Sequence, residues 1–243
     1  MSEIWFHGVA CIALVVAGCG GGGHSPDVTT PTTGPITGST TGPATGTAAV
    51  ALNTRVVTIG DSITGGKAPV VPYPPRLEAL LKRRNPQAVV INRGVPGQIA
   101  PEGAQTLTMS LTQDRPNWVL IMEGTNDVNL GHSPVQTASS LQEMARLTRQ
   151  FGAVPILATI PPQFGPQGGV EAAVVALNDE IRRVASQQQV TLADVFRALP
   201  DASFFTDDGF HPNDKGQTAI AAVFDAALAS AGYPTTLIAH RRR

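Results

Sequence analysis

The sequence predicts an α/β domain with a parallel β-sheet and helices on both of its faces, and two observations lead to this fold class. Short β-branched runs alternate along the chain with stretches in which apolar residues recur at helical spacing. Such alternation is typical of parallel βαβ units. It begins at about Arg55, and the chain from residue 54 onward is long enough to form one such domain.

Five runs of this region are predicted to be strands, and three stretches are predicted to be amphipathic helices. The strands are Arg55–Ile59, Ala88–Asn92, Trp118–Glu123, Val154–Ile160 and Val190–Leu192. The apolar residues with helical spacing form three groups: Leu141, Met144 and Leu147 with Phe151; Val174, Leu177, Ile181 and Val184; and Ile220, Val223, Phe224, Ala227 and Leu228. Gly65–Pro75, with four prolines, is predicted to be a stiff loop.

The first 19 residues have the features of a secretion signal. Val9–Ala17 is an apolar run about half as long as a membrane-spanning helix requires. The next residues complete Val16-Ala17-Gly18-Cys19, which resembles the lipobox of bacterial lipoproteins and implies cleavage before Cys19 and acylation of its thiol. Residues 1–8 depart from the usual start of a signal, because they contain no Lys or Arg. The alternatives are an ordinary cleaved signal peptide and a buried hydrophobic N-terminus.

Residues 20–53 are predicted to be a flexible tether, because they are rich in Thr, Gly, Pro and Ser and contain almost no large apolar side chain. Together with the lipobox, this tether predicts a protein that is lipid-anchored in the bacterial cell envelope, or exported to the periplasm or cell surface. The folded domain is then expected over residues 54–235, followed by a basic tail over residues 236–243.

Composition argues against several classes of function. The 17 Lys and Arg against 18 Asp and Glu give a net charge of −1, unlike the basic surface of a nucleic-acid-binding domain, so we expect no nucleic-acid partner. Both cysteines, Cys11 and Cys19, lie in the leader, so the folded domain contains neither a disulfide nor a thiol nucleophile. The sequence has no His-Glu-x-x-His motif and no cluster of carboxylates at the spacing of metal ligands, so we predict no metal site. We also expect no other cofactor and a monomeric protein.

Polar segments that contain glycine follow the predicted strands. They are Gly60-Asp61-Ser62, the run from Asn92 to Gly97, Gly124-Thr125-Asn126-Asp127, and the run from Asp207 to Asn213 before the last helix. Ligands of an open parallel sheet bind beyond the carboxyl ends of its strands. Because all four segments fall on that edge, we expect them to form one site.

The residue types at this edge suit acyl transfer. A serine such as Ser62 becomes nucleophilic when an adjacent base takes its proton. Three of the five histidines lie in the leader, tether and tail, namely His7, His24 and His240. Of the other two, His211 follows Asp208 by three residues through a glycine, so that one turn lets the carboxylate orient the imidazole. His132 is predicted to be a loop residue near the site, and Asp207 to cap the turn or face solvent.

An acyl transfer also requires hydrogen-bond donors for the oxyanion of the tetrahedral intermediate. The candidates are the backbone N–H groups of Ser62 and Gly97 and the side-chain amide of Asn126. A glycine at position 97 lets the backbone approach a substrate without an intervening Cβ. Gly94 is an alternative to Gly97.

The four segments together resemble the sequence blocks of the SGNH (GDSL-type) hydrolases, in the same order, from about Arg55 to Leu228. The blocks are Gly60-Asp61-Ser62, Gly97, Gly124-Thr125-Asn126-Asp127 and Asp208-Gly209-Phe210-His211-Pro212-Asn213. The resemblance is strongest to the lysophospholipase, arylesterase and thioesterase branch. It implies a flavodoxin-like, three-layer α/β/α sandwich with a five-stranded parallel sheet.

The same resemblance implies roles for individual residues. By it, Ser62 is the nucleophile, His211 the base and Asp208 the acid that orients the base. The implied oxyanion hole consists of Ser62, Gly97 and Asn126, and the supporting residues in the blocks are Asp61, Gly124 and Asp127.

The predicted function is hydrolysis of carboxylic esters through an acyl-enzyme on Ser62. The expected substrates are short to medium acyl, aryl, thio or lysophospholipid-like esters in an open, shallow site, with Phe164 of the loop Pro161–Gly169 lining the acyl pocket. Two alternatives are an O-acetyl esterase acting on polysaccharide and a non-catalytic surface module that binds glycans or acyl chains. Aromatic residues make up only 5% of the chain, which favours acyl esters over sugars.

Overall fold

The five predicted strands form one parallel sheet. The computed structural model describes residues 54–165 and 169–234, and its strands are Arg55–Gly60 (β1), Val89–Gly94 (β2), Trp118–Met122 (β3), Val154–Ala158 (β4) and Thr191–Ala193 (β5). Their order across the sheet is β2-β1-β3-β4-β5, and every neighbouring pair is parallel. This is the flavodoxin-like order, in which the direction of winding changes between β1 and β3.

Helices follow or precede each strand. They are Ser62–Gly65 (α1), Tyr73–Lys82 (α2), Ala100–Asp114 (α3), Thr125–Asn129 (α4), Pro134–Gln150 (α5), Glu171–Gln188 (α6), Val195–Ala198 (α7) and Asp214–Ser230 (α8). A 3₁₀ turn, Ala202–Phe204, precedes the segment that leads into α8.

Successive residues of the central strands face two separate apolar layers. On one face Val56 of β1 packs in a cluster with Leu77 of α2 and Phe224 of α8. On the other face Val57 packs in a cluster with Leu107 of α3 and with residues of α5 and α6. Each such buried side chain contributes about 1.5–3 kcal/mol to stability. Because helices pack against both faces of the sheet, the predicted three-layer α/β/α sandwich is confirmed.

The structure corrects the prediction for the segment after the first strand. Gly65–Pro75 was expected to be a loop throughout, but α2 begins at Tyr73 and includes the last three residues of that range. Pro74 and Pro75 occupy the first turn of the helix, where the N–H that proline lacks has no intrahelical acceptor in any case. The predicted bounds of the five strands differ from the observed bounds by no more than two residues at either end.

Three predicted regions lie outside the described residues. They are the leader over residues 1–19 with Cys19, the tether over residues 20–53, and the tail over residues 236–243. Within residues 54–165 and 169–234, no helix combines the length and the apolar character that a membrane span requires. The lipid anchor therefore stays a prediction.

Candidate active site

Ser62 lies directly beyond the carboxyl end of β1, where a tight turn displays its hydroxyl. The Asp61 carboxylate caps the turn by accepting the Ile63 N–H at 2.8 Å. A side chain at Gly60 would have its Cβ 2.7 Å from the Met122 carbonyl oxygen of β3, so only glycine fits there. As the first residue of α1, Ser62 has a backbone N–H without an intrahelical partner, and no other group in the described part of the chain accepts it, so that it can donate to a ligand.

The structure brings together the three side chains that the sequence pointed to, from opposite ends of the domain. Ser62 Oγ lies 2.9 Å from His211 Nε2. On the other side of the same ring, His211 Nδ1 lies 2.8 Å from Asp208 Oδ2. The His211 side chain is only 13% exposed, so the ring has little freedom to leave this alignment. Hydroxyl, imidazole and carboxylate therefore form one continuous hydrogen-bonded line.

The backbone around Asp208 fixes this carboxylate. Its Oδ1 accepts the His211 N–H at 2.8 Å, the Phe210 N–H at 3.0 Å and the Thr206 hydroxyl at 2.8 Å. Gly209 makes the turn possible with a φ of +66°, a conformation that favours glycine. One carboxylate oxygen is thus saturated by the turn, and the other is left to face the imidazole.

Lys67 adds a positive charge to this group that the sequence did not point to. Its Nζ donates to Asp208 Oδ2 at 2.9 Å and lies 3.4 Å from His211 Nδ1. Partial burial raises the pKa of Asp208, but hydrogen bonds from the His211 N–H, the Lys67 ammonium and the His211 ring hold it well below its ordinary value of 3.8. Asp208 is therefore an anion at every pH near neutrality.

Gly97, and not Gly94, presents a free N–H at the edge of the sheet. Pro96 and Gly97 are the central residues of a turn that the Gln98 N–H closes onto the Val95 carbonyl at 3.1 Å. Gly97 has a φ of +82°, as the second central residue of a type II turn requires. Within residues 54–165 and 169–234 nothing accepts a hydrogen bond from its N–H. Gly94 instead ends β2, where a Cβ would lie 2.7 Å from the Gly65 Cα.

Asn126 lies in α4, directly beyond β3. Its Nδ2 donates to the Gln98 carbonyl at 2.8 Å, which fixes the side-chain amide and leaves one of its two N–H bonds for a ligand. The predicted supporting residues shape this segment. Gly124 has a φ of +122°, and a Cβ there would lie 2.7 Å from Leu177 Cδ2. The Asp127 carboxylate accepts the Ala100 N–H at 2.9 Å, which joins this segment to the start of α3.

Two polar residues near the site do not join the hydrogen-bonded line. His132 Nδ1 lies 3.6 Å from Asp127 Oδ1, with 40% of its side chain exposed. Asp207 is exposed, in agreement with the solvated alternative of the prediction. Of the two histidines in the described ranges, His211 is therefore the one whose ring lies within hydrogen-bond distance of Ser62 Oγ.

A cleft of about 320 Å³ opens beside Ser62 and His211. Besides Ser62, it is lined by Lys67–Val70, Thr206, Asp207, Asp208, His211, Pro212 and Gln217. Phe164 does not line this cleft but a neighbouring cavity of about 620 Å³, which shares Asp207 and Asp208 with it. Phe164 packs edge-on against Phe205, with ring centroids 5.3 Å apart. Phe164 is therefore not part of the cleft at Ser62, and the expectation that it lines the acyl pocket stays a prediction. In the described part of the chain, no three His, Cys, Asp or Glu residues are grouped as a metal site.

The buried carboxyl of Asp61 makes stability depend on pH. Burial raises its pKa from 3.8 to about 6, with a smaller contribution from the charge of Asp127. The folded state therefore holds this proton more tightly than the unfolded state does. The contribution of the protonated Asp61 carboxyl to the free energy of unfolding is fully present below about pH 4 and is lost as pH rises through about 6.

We expect Asp61→Asn to raise the free energy of unfolding by about 1–3 kcal/mol at pH 7.5 and to change it little at pH 4. The amide oxygen can still accept the Ile63 N–H, while the cost of a buried charge is gone. Urea denaturation at the two pH values measures the difference. Asp207→Asn, at the exposed neighbouring carboxylate of the site, is the control. An equal effect of Asp61→Asn at both pH values contradicts the assignment.

Comparison with known proteins agrees with this geometry. The chain is 27% identical over 180 residues to Thioesterase 1/protease 1/lysophospholipase L1 of Escherichia coli K12, covering 71% of this chain and 82% of that protein. It is 29% identical over 127 residues to Esterase TesA of Pseudomonas aeruginosa, covering 51% of this chain and 61% of that protein. The fold matches the crystal structure of a catalytic mutant of Axe2, an acetylxylan esterase from Geobacillus stearothermophilus. That match has a TM-score of 0.60 at 20% identity and covers 76% of this chain and 97% of the other.

The family resemblance inferred from the four sequence blocks is confirmed by a match to a family model. Residues 58–219, more than half of the chain, match the GDSL-like Lipase/Acylhydrolase family. The matched range contains Ser62 at one end and Asp208 and His211 at the other. The protein therefore belongs to the GDSL-like lipase/acylhydrolase family and is a carboxylic ester hydrolase.

Proposed function

We propose that this protein cleaves carboxylic esters through an acyl-enzyme on Ser62, with His211 as general base and Asp208 as the group that orients it. The observation that carries this proposal is the unbroken line from Ser62 Oγ to His211 Nε2 at 2.9 Å and from His211 Nδ1 to Asp208 Oδ2 at 2.8 Å. A nucleophile, a base within hydrogen-bond reach and a third group that holds the base are what covalent acyl transfer requires.

The reaction proceeds in two halves. In the first, Ser62 Oγ attacks the ester carbonyl while His211 Nε2 takes the hydroxyl proton, and the tetrahedral intermediate expels the alcohol, which receives that proton. In the second, His211 takes a proton from water, the resulting hydroxide attacks the acyl-enzyme, and the proton returns to Ser62 Oγ as the acid leaves. The oxyanion of each intermediate accepts hydrogen bonds from the Ser62 N–H, the Gly97 N–H and the Asn126 amide.

The cleft beside Ser62 favours substrates with short to medium acyl groups. Its volume of about 320 Å³ lies at the lower end of the range for small-molecule sites. Ala68, Pro69 and Val70 give it one apolar wall, which suits an acyl chain. The relative from Escherichia coli is named for thioester and lysophospholipid cleavage, which supports an acyl ester here.

Removal of O-acetyl groups from polysaccharide is a second candidate, because an acetyl group also fits a cleft of this size. One of the structures with the same fold is an acetylxylan esterase. In the described ranges, however, no Phe, Tyr or Trp lines the cleft, and sugar rings commonly pack on such side chains. This composition favours the acyl ester.

Labelling with a fluorophosphonate, combined with a series of p-nitrophenyl esters, tests the proposal. The wild-type protein should be labelled, Ser62→Ala should not, and Ser230→Ala, at an exposed serine at the end of α8, should be labelled as the wild type is. The value of kcat/KM should be at least about tenfold higher for the acetate and butyrate esters than for the decanoate. Equal labelling of Ser62→Ala removes Ser62 as the nucleophile, and a preference for decanoate contradicts the short acyl pocket.

A further inference from the structure

A buried hydrogen bond lies beneath the proposed oxyanion hole, and the mechanism above does not use it. Gln98 Nε2 donates to Glu123 Oε1 at 2.5 Å. The two residues are only 6% and 0% exposed, respectively. Gln98 follows Gly97 directly, and Glu123 follows β3 three residues before Asn126. The bond therefore joins the two segments that carry Gly97 and Asn126.

The backbone of Gln98 contacts both of those segments as well. Its N–H closes the turn that gives Gly97 its positive φ, by donating to the Val95 carbonyl at 3.1 Å. Its carbonyl accepts Nδ2 of Asn126 at 2.8 Å. A rotation of the Gln98 backbone would thus move the Gly97 N–H and the Asn126 amide together. The side-chain bond to Glu123 is what holds Gln98 against such a rotation.

Stability gives little reason for a polar pair at this place. Burial, together with the charges of Asp61 and Asp127, raises the pKa of Glu123 well above 4.5, which favours the neutral acid. Its second oxygen, Oε2, has no hydrogen-bond partner among the described residues. A buried polar group that lacks a partner costs stability, and apolar residues of similar shape often replace such pairs without loss. A role in positioning accounts for the pair better than a role in stability.

We propose that Gln98 and Glu123 are positioning residues for the oxyanion hole. The hydrogen bond between their side chains fixes the position of the Gly97 N–H relative to the Asn126 amide. The inference rests on the proposed function, since it takes Gly97 and Asn126 as the donors to the oxyanion. Neither Gln98 nor Glu123 contacts the substrate in this scheme. Both act by fixing the groups that do.

Variants of nearly equal shape separate positioning from packing. Gln98→Met and Glu123→Met each remove the hydrogen bond and keep an unbranched side chain of similar length. We expect each to lower kcat for p-nitrophenyl acetate roughly 10- to 100-fold, because displacing a catalytic group by about 1 Å costs up to that much. KM should change less than about threefold, since the donors act mainly on the transition state. Glu123→Gln keeps an acceptor and should stay within about threefold of the wild-type kcat.

The double variant Gln98→Met/Glu123→Met gives the sharper readout. Because both side chains act through one bond, its kcat should fall about as far as in either single variant, and the two losses should not multiply. Its Tm should equal or exceed that of the wild type, since the unsatisfied buried groups are gone. Leu141→Ala, at a buried core residue of α5, is the control: it lowers Tm and leaves kcat unchanged. The inference is overturned if the loss of kcat in the double variant is the product of the two single losses. It is also overturned if kcat falls only in those variants whose Tm falls.

Two further variants distinguish failure of this inference from failure of the proposed function. Asn126→Ala should lose about 10²–10³ in kcat, and Ser62→Ala should be inactive. If both behave so while Gln98→Met keeps the wild-type kcat, the positioning role falls and the proposed function stands. If Ser62→Ala remains active, the proposed function falls and the inference falls with it. Should Gln98→Met fail to fold, Gln98→Asn withdraws the amide from Glu123 by one methylene and should show the same loss of kcat.

Discussion

Replacing His211 by alanine is expected to lower kcat for p-nitrophenyl acetate by about 10⁵–10⁶-fold, the largest effect of any single substitution outside Ser62. The imidazole Nε2 lies 2.9 Å from Ser62 Oγ and, in the proposed mechanism, takes the hydroxyl proton. Without it the hydroxyl stays protonated and is a poor nucleophile. Ser62→Ala should lose a similar amount, because the two residues perform one step together.

The double variant Ser62→Ala/His211→Ala tests whether the two residues act as a unit. Its kcat should be about equal to that of either single variant, with a residual rate from the oxyanion donors and substrate binding. His132→Ala is the matched control, since His132 is the other histidine near the site and its ring lies against Asp127. It should stay within about twofold of the wild type. A His211 variant that keeps more than about one hundredth of the wild-type kcat rules out the proposed relay.

Much of this site could be predicted because the fold concentrates it at one edge. Ser62 and His211 are 149 residues apart in the chain, yet each belongs to a polar segment at the carboxyl edge of the sheet. Parallel strands bring such segments together whatever their separation in sequence. The sequence alone could not decide whether Gly94 or Gly97 supplies the backbone N–H at this edge, because both glycines lie in the same predicted segment after the second strand. Only the observed backbone shows that one ends a strand and the other forms a turn.

The residues that the sequence did not reveal are those whose roles depend on contacts between distant segments. Lys67 lies in a loop among prolines, and nothing in that loop indicates that its ammonium reaches Asp208. Gln98 and Glu123 are 25 residues apart, and a glutamate at the end of a strand usually faces solvent. The start of α2 was not predicted, because Pro74 and Pro75 are typical of loops although they also suit the first turn of a helix.

Asp208→Asn is expected to lower kcat by about 10⁴-fold while leaving the fold intact. In the native site the carboxylate accepts the His211 Nδ1–H at 2.8 Å, which leaves Nε2 free to take the Ser62 proton. An asparagine amide can instead donate to Nδ1, and the ring then carries its proton on Nε2, where it cannot act as a base. The variant also loses the charge that pairs with Lys67. Steady-state kinetics and the rate of fluorophosphonate labelling measure the loss, and Asp179→Asn, at an exposed carboxylate of α6, should stay within about twofold of the wild type. A loss below about tenfold for Asp208→Asn would mean that the turn around residues 206–211 orients the imidazole without help from the carboxylate.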